Sequence, residues 1–342
     1  MPFEPTERRS LGRTGVAVTR LGFGGASIGG LYRPVADADA SAVLERAWQL
    51  GIRHLDTAPL YGYGVSERRV GRALAGKPRD EYVLSTKVGR LVVPASAVPA
   101  GADVDRQVFD GRENGAYADV DDRRIVFDYT GDGVRRSLDE SLSRLRLDRI
   151  DVALVHDPDR HWRAAIGGAI PALIRLREEG VIGAVGVGMN QAPMLARFAR
   201  EADVDVLLLA NRYTLLNQEA LDEVLPTCVE RGISVMIGGV MNSGILADPR
   251  PGSRFDYSTA PADLITRAQH LASVCARHGV SLKAAAVQFP LAHPAVVSVI
   301  AGVRSIEHLD EYAELYRAVI PPELWEDLRA ESLIAAAAPT PA

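Results

Sequence analysis

Short apolar runs alternate along this chain with longer stretches in which apolar residues recur every three to four positions. The runs fall at 21–25, 52–56, 82–86, 150–155, 182–187, 204–209, 233–237 and 296–300. Most lack strict apolar–polar alternation, as expected of parallel strands buried on both faces. The longer stretches, at 37–50, 66–75, 133–145, 162–179, 193–201, 218–231, 282–292 and 306–319, predict helices. In the first of them Val43, Leu44, Ala47, Trp48 and Leu50 form one apolar face, and Gly51 supplies the stop. Eight strands alternating with eight helices predict an α/β fold of the (β/α)8 TIM barrel type. A doubly wound open sheet is the alternative. No G-x-G-x-x-G follows a strand and the count closes at eight, which favours the barrel.

The expected organisation is a single domain over 1–342, with a hairpin cap at 8–20, the barrel at 21–320, and a C-terminal helix and tail at 321–342. The hairpin is read from two short runs within 11–18 around Arg13–Gly15. Residues 88–129 form a long connection after strand 3, rich in Gly, Ala and Asp, which predicts a functional or disordered loop. An extra helix is expected at 261–278, and an Ala/Pro-rich frayed tail at 334–342.

Composition narrows the function classes. Hydrophobic residues are 47% and charged residues 24% of the 342, which suits a soluble globule and excludes a disordered or fibrous chain. No apolar run approaches the ~20 residues of a membrane span. The start, MPFEPTERRS, has no apolar core of a secretory signal, so a cytoplasmic location is expected. A net charge of −5 without a basic stripe excludes nucleic acid as an expected partner. Two cysteines, Cys228 and Cys275, give neither a disulfide scaffold nor a cysteine metal site, and no metal is expected. Only three of the 39 basic residues are lysines, Lys77, Lys87 and Lys283. A GC-rich genome that favours arginine codons accounts for the scarcity. It also draws notice to any lysine placed where a titratable amine is useful.

Active sites of (β/α)8 barrels lie at the C-terminal ends of the strands. Strand 2 ends in HLDTAPLYGYG, with Asp56 closing it and Tyr61 in the following loop. Strand 3 ends in VLSTKVG with Lys87 at its tip, and strand 4 in VALVHDPD with His156 at its tip. Singly, each has an ordinary explanation: a helix cap, a packing lid, a turn residue. Lys87 alone would also suit a Schiff-base enzyme. The convergence of four polar groups from three neighbouring strands on one mouth is what points to chemistry.

Four segments carry a wider resemblance: LGRTGVAVTRLGFGG, GIRHLDTAPLYGYGVSERRVGRAL, SLDESLSRLRLDRIDVALVHDPD and VVSVIAGVRSIEHLDEY. In this order and spacing the chain resembles the aldo-keto reductases over nearly its whole length. The segments are similar, in turn, to the family's hairpin and first strand, its Asp-Thr-Ala/Tyr-Gly/Glu signature, its helix 3 and strand 4, and its C-terminal cofactor segment. The resemblance implies a catalytic tetrad of Asp56, Tyr61, Lys87 and His156 and hydride transfer with a nicotinamide cofactor. A phenol ordinarily titrates near 10, and a neighbouring ammonium favours its ionised form. Lys87 is therefore expected to lower the pKa of Tyr61, Asp56 to hold Lys87, and His156 to orient the substrate oxygen or share in proton relay.

The implied cofactor residues are less uniform. Where the family commonly has Gly-Val-Ser-Asn after strand 5, this chain has GVGMNQ. Gly188 takes the Ser place, Met189 the Asn place, and Asn190 falls one position late. Asn211 stands where the family often has a Gln to the nicotinamide carboxamide. Gly238 replaces the aromatic usually beneath the nicotinamide ring. Gly302 and His308 replace the Lys and Arg that hold the 2′-phosphate in NADP-specific relatives, which leaves Arg304 as the one strong cation. Gly24 and Gly25 complete the implied set. NAD is the expected cofactor, with NADP or dual use as the alternative.

Within the family, GGVMNSGIL, GVGMN and LVHDPD are most similar to sugar 1-dehydrogenases acting on L-fucose or other D-threo-aldoses, and to pyridoxal 4-dehydrogenases. Both oxidise a cyclic hemiacetal to a lactone, so the implied partner is a small sugar or pyridoxal. An NADPH-dependent aldehyde or ketone reductase is the alternative enzyme, and a cofactor-binding channel subunit the alternative from another class. The family contains monomers and larger assemblies, which leaves the number of copies open. Substrate-wall candidates are the loop after Ala26, Tyr63, the 88–129 insertion and Trp162, although packing at the start of helix 4 is the favoured reading of Trp162.

Overall fold

The computed structural model describes residues 3–106, 116–118 and 120–341. All eight predicted strands form: Leu21–Gly24 (β1), His54–Asp56 (β2), Val83–Val88 (β3), Val152–His156 (β4), Ala184–Met189 (β5), Val206–Ala210 (β6), Ser234–Gly238 (β7) and Val296–Ala301 (β8). Each pairs in parallel with the next, and β8 pairs with β1 to close the barrel. Most strands begin later than the apolar runs that announced them. Ile52, Ile150, Ile182, Val204 and Ile233 are buried, yet they lie in the turns that feed the strands. Burial, not strand geometry, made those positions apolar.

The barrel interior is filled by Val83, Val152, Leu154, Val206, Leu208 and Met236, among others. Leu11 and Val18 join this cluster from the N-terminal hairpin and close its floor. The hairpin strands, Arg8–Ser10 paired antiparallel with Ala17–Thr19, flank the predicted run and leave most of it as the turn. A larger cluster lies between the strands and the helices outside.

Several expectations change. The helix predicted over 162–179 is interrupted by a π-helical turn at Ala165–Ala169, between Trp162–Ala164 and Ile170–Glu178. That over 218–231 divides into a 3-10 turn, Glu219–Leu221, and a helix, Val224–Arg231. That over 282–292 tightens to a 3-10 turn at Phe289–Ala292, where Pro290 has no N–H to continue the ladder. The extra helix forms as Ala262–Arg277. The 88–129 connection is not a plain loop: Arg90–Pro94 and Arg123–Phe127 make an antiparallel ribbon continuing from β3. Residues 107–115 and 119 of that segment lie outside the described residues. The tail expected to fray packs instead. Leu333, Ile334 and Ala338 are buried, and Arg329 donates to Ala338 O at 3.0 Å and Thr340 Oγ1 at 2.8 Å. No helix among the described residues is long and apolar enough to cross a membrane.

Candidate active site

β2, β3 and β4 end side by side at the C-terminal face, where a parallel barrel presents its strand-end side chains. Asp56 is the last residue of β2, and His156 the last of β4. Lys87 sits one residue inside the end of β3. Its Nζ donates to Asp56 Oδ2 at 2.7 Å and to Thr57 O at 2.9 Å. Ser85 Oγ donates to Asp56 Oδ1 at 2.8 Å and lies 3.1 Å from His54 Nε2. The Lys87 and Asp56 side chains are 1% and 4% exposed. The pair is thus buried with both carboxylate oxygens engaged, the condition under which a buried ion pair is tolerated.

Tyr61 reaches this pair from the turn after β2. Gly62 has φ 62°, and a Cβ there would lie 2.2 Å from Gly29 O. A Cβ on Gly29 would in turn lie 2.8 Å from the Tyr61 carbonyl carbon. Only glycines let the two backbones approach so closely, and the approach fixes Tyr61. The centre of its ring is 4.6 Å from Lys87 Nζ. It stands edge-on to the His156 ring at 5.8 Å and tilted against Tyr117 at 6.1 Å. The structure therefore brings all four implied tetrad residues together.

Their electrostatics differ from expectation in one respect. Burial pushes the Tyr61 phenol well above its ordinary range, and Asp56, Tyr117, Tyr257 and Asp157 push the same way. The ammonium of Lys87 does not reverse this, because Asp56 sits against it and cancels most of its field at Tyr61. Burial also holds His156 well below the usual histidine range, reinforced by Arg90 and Lys87, so the imidazole is neutral. The arrangement offers a phenol that gives or takes a proton and a neutral imidazole that donates a hydrogen bond to the same ligand oxygen.

These groups line a cavity of about 720 Å³. Leu31, Tyr63 and the 88–129 insertion, through Arg90, Tyr117 and Phe127, supply its wall as expected. Trp162 does not line it. Its ring packs 4.5 Å from Phe198 and 3.8 Å from the Arg197 guanidinium. Asp157 and Tyr257 also line the cavity and were missed from the sequence, and Arg90 and Tyr117 were expected only as part of the insertion, not by residue. Asp157 was legible as the next residue of HDPD. Tyr117 and Tyr257 come from segments without periodicity, so no pattern marked them.

The implied cofactor residues divide. Asn190 lines the cavity. Asn211 is buried at φ 62°, and its Oδ1 has no hydrogen-bond partner among the described residues. Gly238 closes β7 beside Leu208 and Ala210, both of which line the cavity. Gly24 and Gly25 do not line it. A Cβ on Gly25 would clash with Ser66 Oγ at 2.4 Å and Asp56 O at 2.9 Å, and one on Gly24 would sit tightly at 3.1 Å from Ile300 Cγ2, so packing restricts both positions. Gly302 and His308 are exposed, and the His308 N–H is capped by Ser305 Oγ at 3.3 Å. Arg304 lines a second cavity of about 490 Å³, together with Arg33. Burial and the neighbouring Arg33 charge both lower the Arg304 pKa. Neither arginine makes an ion pair among the described residues. Arg304 is therefore not the isolated cation that the sequence suggested.

A model of the Aldo/keto reductase family matches residues 20–331. The chain belongs to that family. This aldo-keto reductase is 44% identical over 331 residues to a D-threo-aldose 1-dehydrogenase of Pseudomonas sp, covering 96% of this chain and 97% of the relative. It is 45% identical over 347 residues to a pyridoxal 4-dehydrogenase of Microbacterium luteolum, covering 98% and 100%. Its fold matches the holo form of an aldo-keto reductase from Bacillus halodurans with a TM-score of 0.73, at 24% identity over 97% of each chain. Aldo-keto reductases are oxidoreductases that use nicotinamide cofactors, and this chain is an enzyme of that kind.

Proposed function

We propose that this aldo-keto reductase oxidises the cyclic hemiacetal of an aldose to its lactone. The observation that carries the reading is Tyr61 and neutral His156 facing one cavity, with the buried Lys87–Asp56 pair beneath the phenol. The sequence similarity to a D-threo-aldose 1-dehydrogenase supports the substrate class.

The residues present fit a nicotinamide dinucleotide. The unpartnered buried Oδ1 of Asn211 suits a carboxamide N–H, and Arg33 with Arg304 suits a phosphate. When bound, the oxidised cofactor would supply the hydride acceptor and a positive charge. The protein does the rest. Tyr61, once ionised, takes the proton of the hemiacetal hydroxyl as the C–H bond of the same carbon gives up its hydride. His156 donates a hydrogen bond to that oxygen as its bonding to carbon becomes double. Lys87 stabilises the phenolate, and Asp56 and Thr57 hold Lys87 in place. The preference for NAD read from the sequence rested on Arg304 standing alone. With Arg33 beside it, both NAD and NADP fit, the latter through its extra phosphate.

A second reading is reduction of an aldehyde or ketone. The raised Tyr61 pKa favours it, because a phenol is ready to donate a proton. The absorbance of reduced nicotinamide separates the readings: NAD+ and NADP+ against L-fucose, D-arabinose, L-galactose and pyridoxal, and the reduced cofactors against simple aldehydes. Lactone formation from an aldose is the expected result. Turnover of aldehydes alone would replace the first reading with the second. Fluorescence titration of both dinucleotides against Arg33→Ala should weaken NADP+ more than NAD+. Equal effects would remove Arg33 from phosphate binding.

A further inference from the structure

The cavity that holds Tyr61 and His156 carries a carboxylate that the chemistry above does not use. Asp157 follows His156 directly, and its Oδ2 lies 3.5 Å from His156 Nε2. Its placement is tightly specified. The backbone has φ 38°, a region that costs a non-glycine residue energy and persists where the surroundings enforce it. Its N–H donates to Gly188 O at 3.0 Å, and the Tyr129 hydroxyl donates to its carbonyl at 3.1 Å. Arg90, whose side chain is 3% exposed, donates to Asp157 Oδ2 at 3.1 Å and to Asp105 Oδ2 at 2.7 Å. Asp105 and Asp157 share the one buried guanidinium. Asp157 is 28% exposed in the cavity it lines, and its Oδ1 accepts no hydrogen bond among the described residues.

A carboxylate beside the group that binds the reacting oxygen calls for a ligand donor about 3 Å from that oxygen. In an aldose hemiacetal the hydroxyl on the next carbon stands there. We propose that Asp157, braced by Arg90, accepts a hydrogen bond from this neighbouring hydroxyl and is the specificity-determining residue of the site. The site then selects aldoses over their 2-deoxy counterparts. It also selects them over hemiacetals whose neighbouring carbon belongs to an aromatic ring, as in pyridoxal. This rests on the reading that Tyr61 and His156 hold the reacting oxygen. Burial, with Asp159 and Asp105 nearby, lifts Asp157 to about 6 against the pull of Arg90 and Lys87, so it remains a carboxylate at neutral and alkaline pH.

The test is kcat/KM for L-fucose and 2-deoxy-L-fucose, with saturating NAD+ or NADP+, in the wild type and in Asp157→Asn. A hydrogen bond to a charged group corresponds to roughly a 10–100-fold preference. The wild type should favour the 2-hydroxy sugar by that factor, and the variant should bring the ratio to within about threefold of unity. The same ratio in both proteins overturns the proposal. A wild-type ratio near unity also overturns it, without requiring the variant to fold. Pyridoxal turned over faster than the aldose does the same. A wild type that binds dinucleotide but turns over neither sugar overturns the aldose reading itself, and the proposal with it.

Discussion

Replacing Lys87 by methionine tests the buried pair under Tyr61. Methionine keeps most of the side-chain volume and removes the ammonium. At the observed 2.7 Å, and with an effective dielectric of about 20, the two charges attract by about 6 kcal/mol. The substitution leaves Asp56 buried with its Ser85 hydrogen bond and no cation. Removing one partner of a buried pair costs about 3–5 kcal/mol, so we expect a destabilisation of about 4 kcal/mol at about pH 8. The stranded carboxylate can relieve itself by taking up a proton, at about 1.4 kcal/mol per pH unit. The deficit should shrink to about 3 kcal/mol near pH 6, because the slope acts only below the raised carboxylate pKa that a deficit of about 4 kcal/mol implies. Urea unfolding followed by tryptophan fluorescence at the two pH values measures this directly. Turnover should fall by about two to four orders of magnitude. A deficit that is the same at both pH values would falsify the claim that Asp56 depends on the ammonium. Turnover within tenfold of the wild type would remove Lys87 from the acid/base machinery.

Tyr61→Phe should reduce turnover by about two to four orders of magnitude while leaving dinucleotide affinity by fluorescence titration intact; undiminished turnover removes Tyr61 as the acid/base. Gly62→Ala places a methyl 2.2 Å from Gly29 O and should lower kcat by displacing Tyr61, with a smaller change in dinucleotide affinity; wild-type kcat would show that the turn is not what positions the phenol. Burial, opposed by Asp56, holds His54 at about 4 against its usual 6.5. The unfolded chain therefore takes up a proton below 6.5 that the folded chain refuses until about 4, so His54's contribution is whole above 6.5 and is lost as pH falls toward 4. At about pH 5 the loss should be about 2 kcal/mol in urea unfolding, and His54→Gln should lack it; identical pH slopes would refute the assignment.

The barrel was legible because two periodicities report two environments: unbroken apolar runs for strands enclosed on both faces, and recurring apolar positions for helices with one buried side. Strand starts were not legible, because residues such as Ile52 and Ile150 are buried in turns and are as apolar as the strands they precede. The tetrad was readable because three of its members sit at strand ends, where position along the chain translates directly into position in the barrel. The wall of the cavity was readable as segments but, Tyr63 apart, not as residues. Tyr117 and Tyr257 come from irregular segments whose path depends on long-range contacts. Arg33 and Arg304 are 271 positions apart in the sequence and become neighbours only when β8 closes on β1.

The raised Tyr61 pKa follows from the arrangement that makes Lys87 look like an activator. An ammonium alone at 4.6 Å from the ring centre would favour the phenolate by about 3–4 kcal/mol at an effective dielectric of about 20. Asp56 lies 2.7 Å from the same ammonium, so the phenol experiences a dipole whose field falls faster than that of a single charge. What remains is smaller than the penalty for ionising a buried phenol with Asp157 and Tyr117 nearby. The protein by itself thus holds Tyr61 as an acid. Proton abstraction requires further positive charge near the phenol or a rise in pH, whereas proton donation requires neither. The Lys87–Asp56 pair accordingly does two things. It keeps a charged lysine tolerable in a site nearly sealed from water, and it leaves the balance between oxidation and reduction to the charge state of what binds above Tyr61.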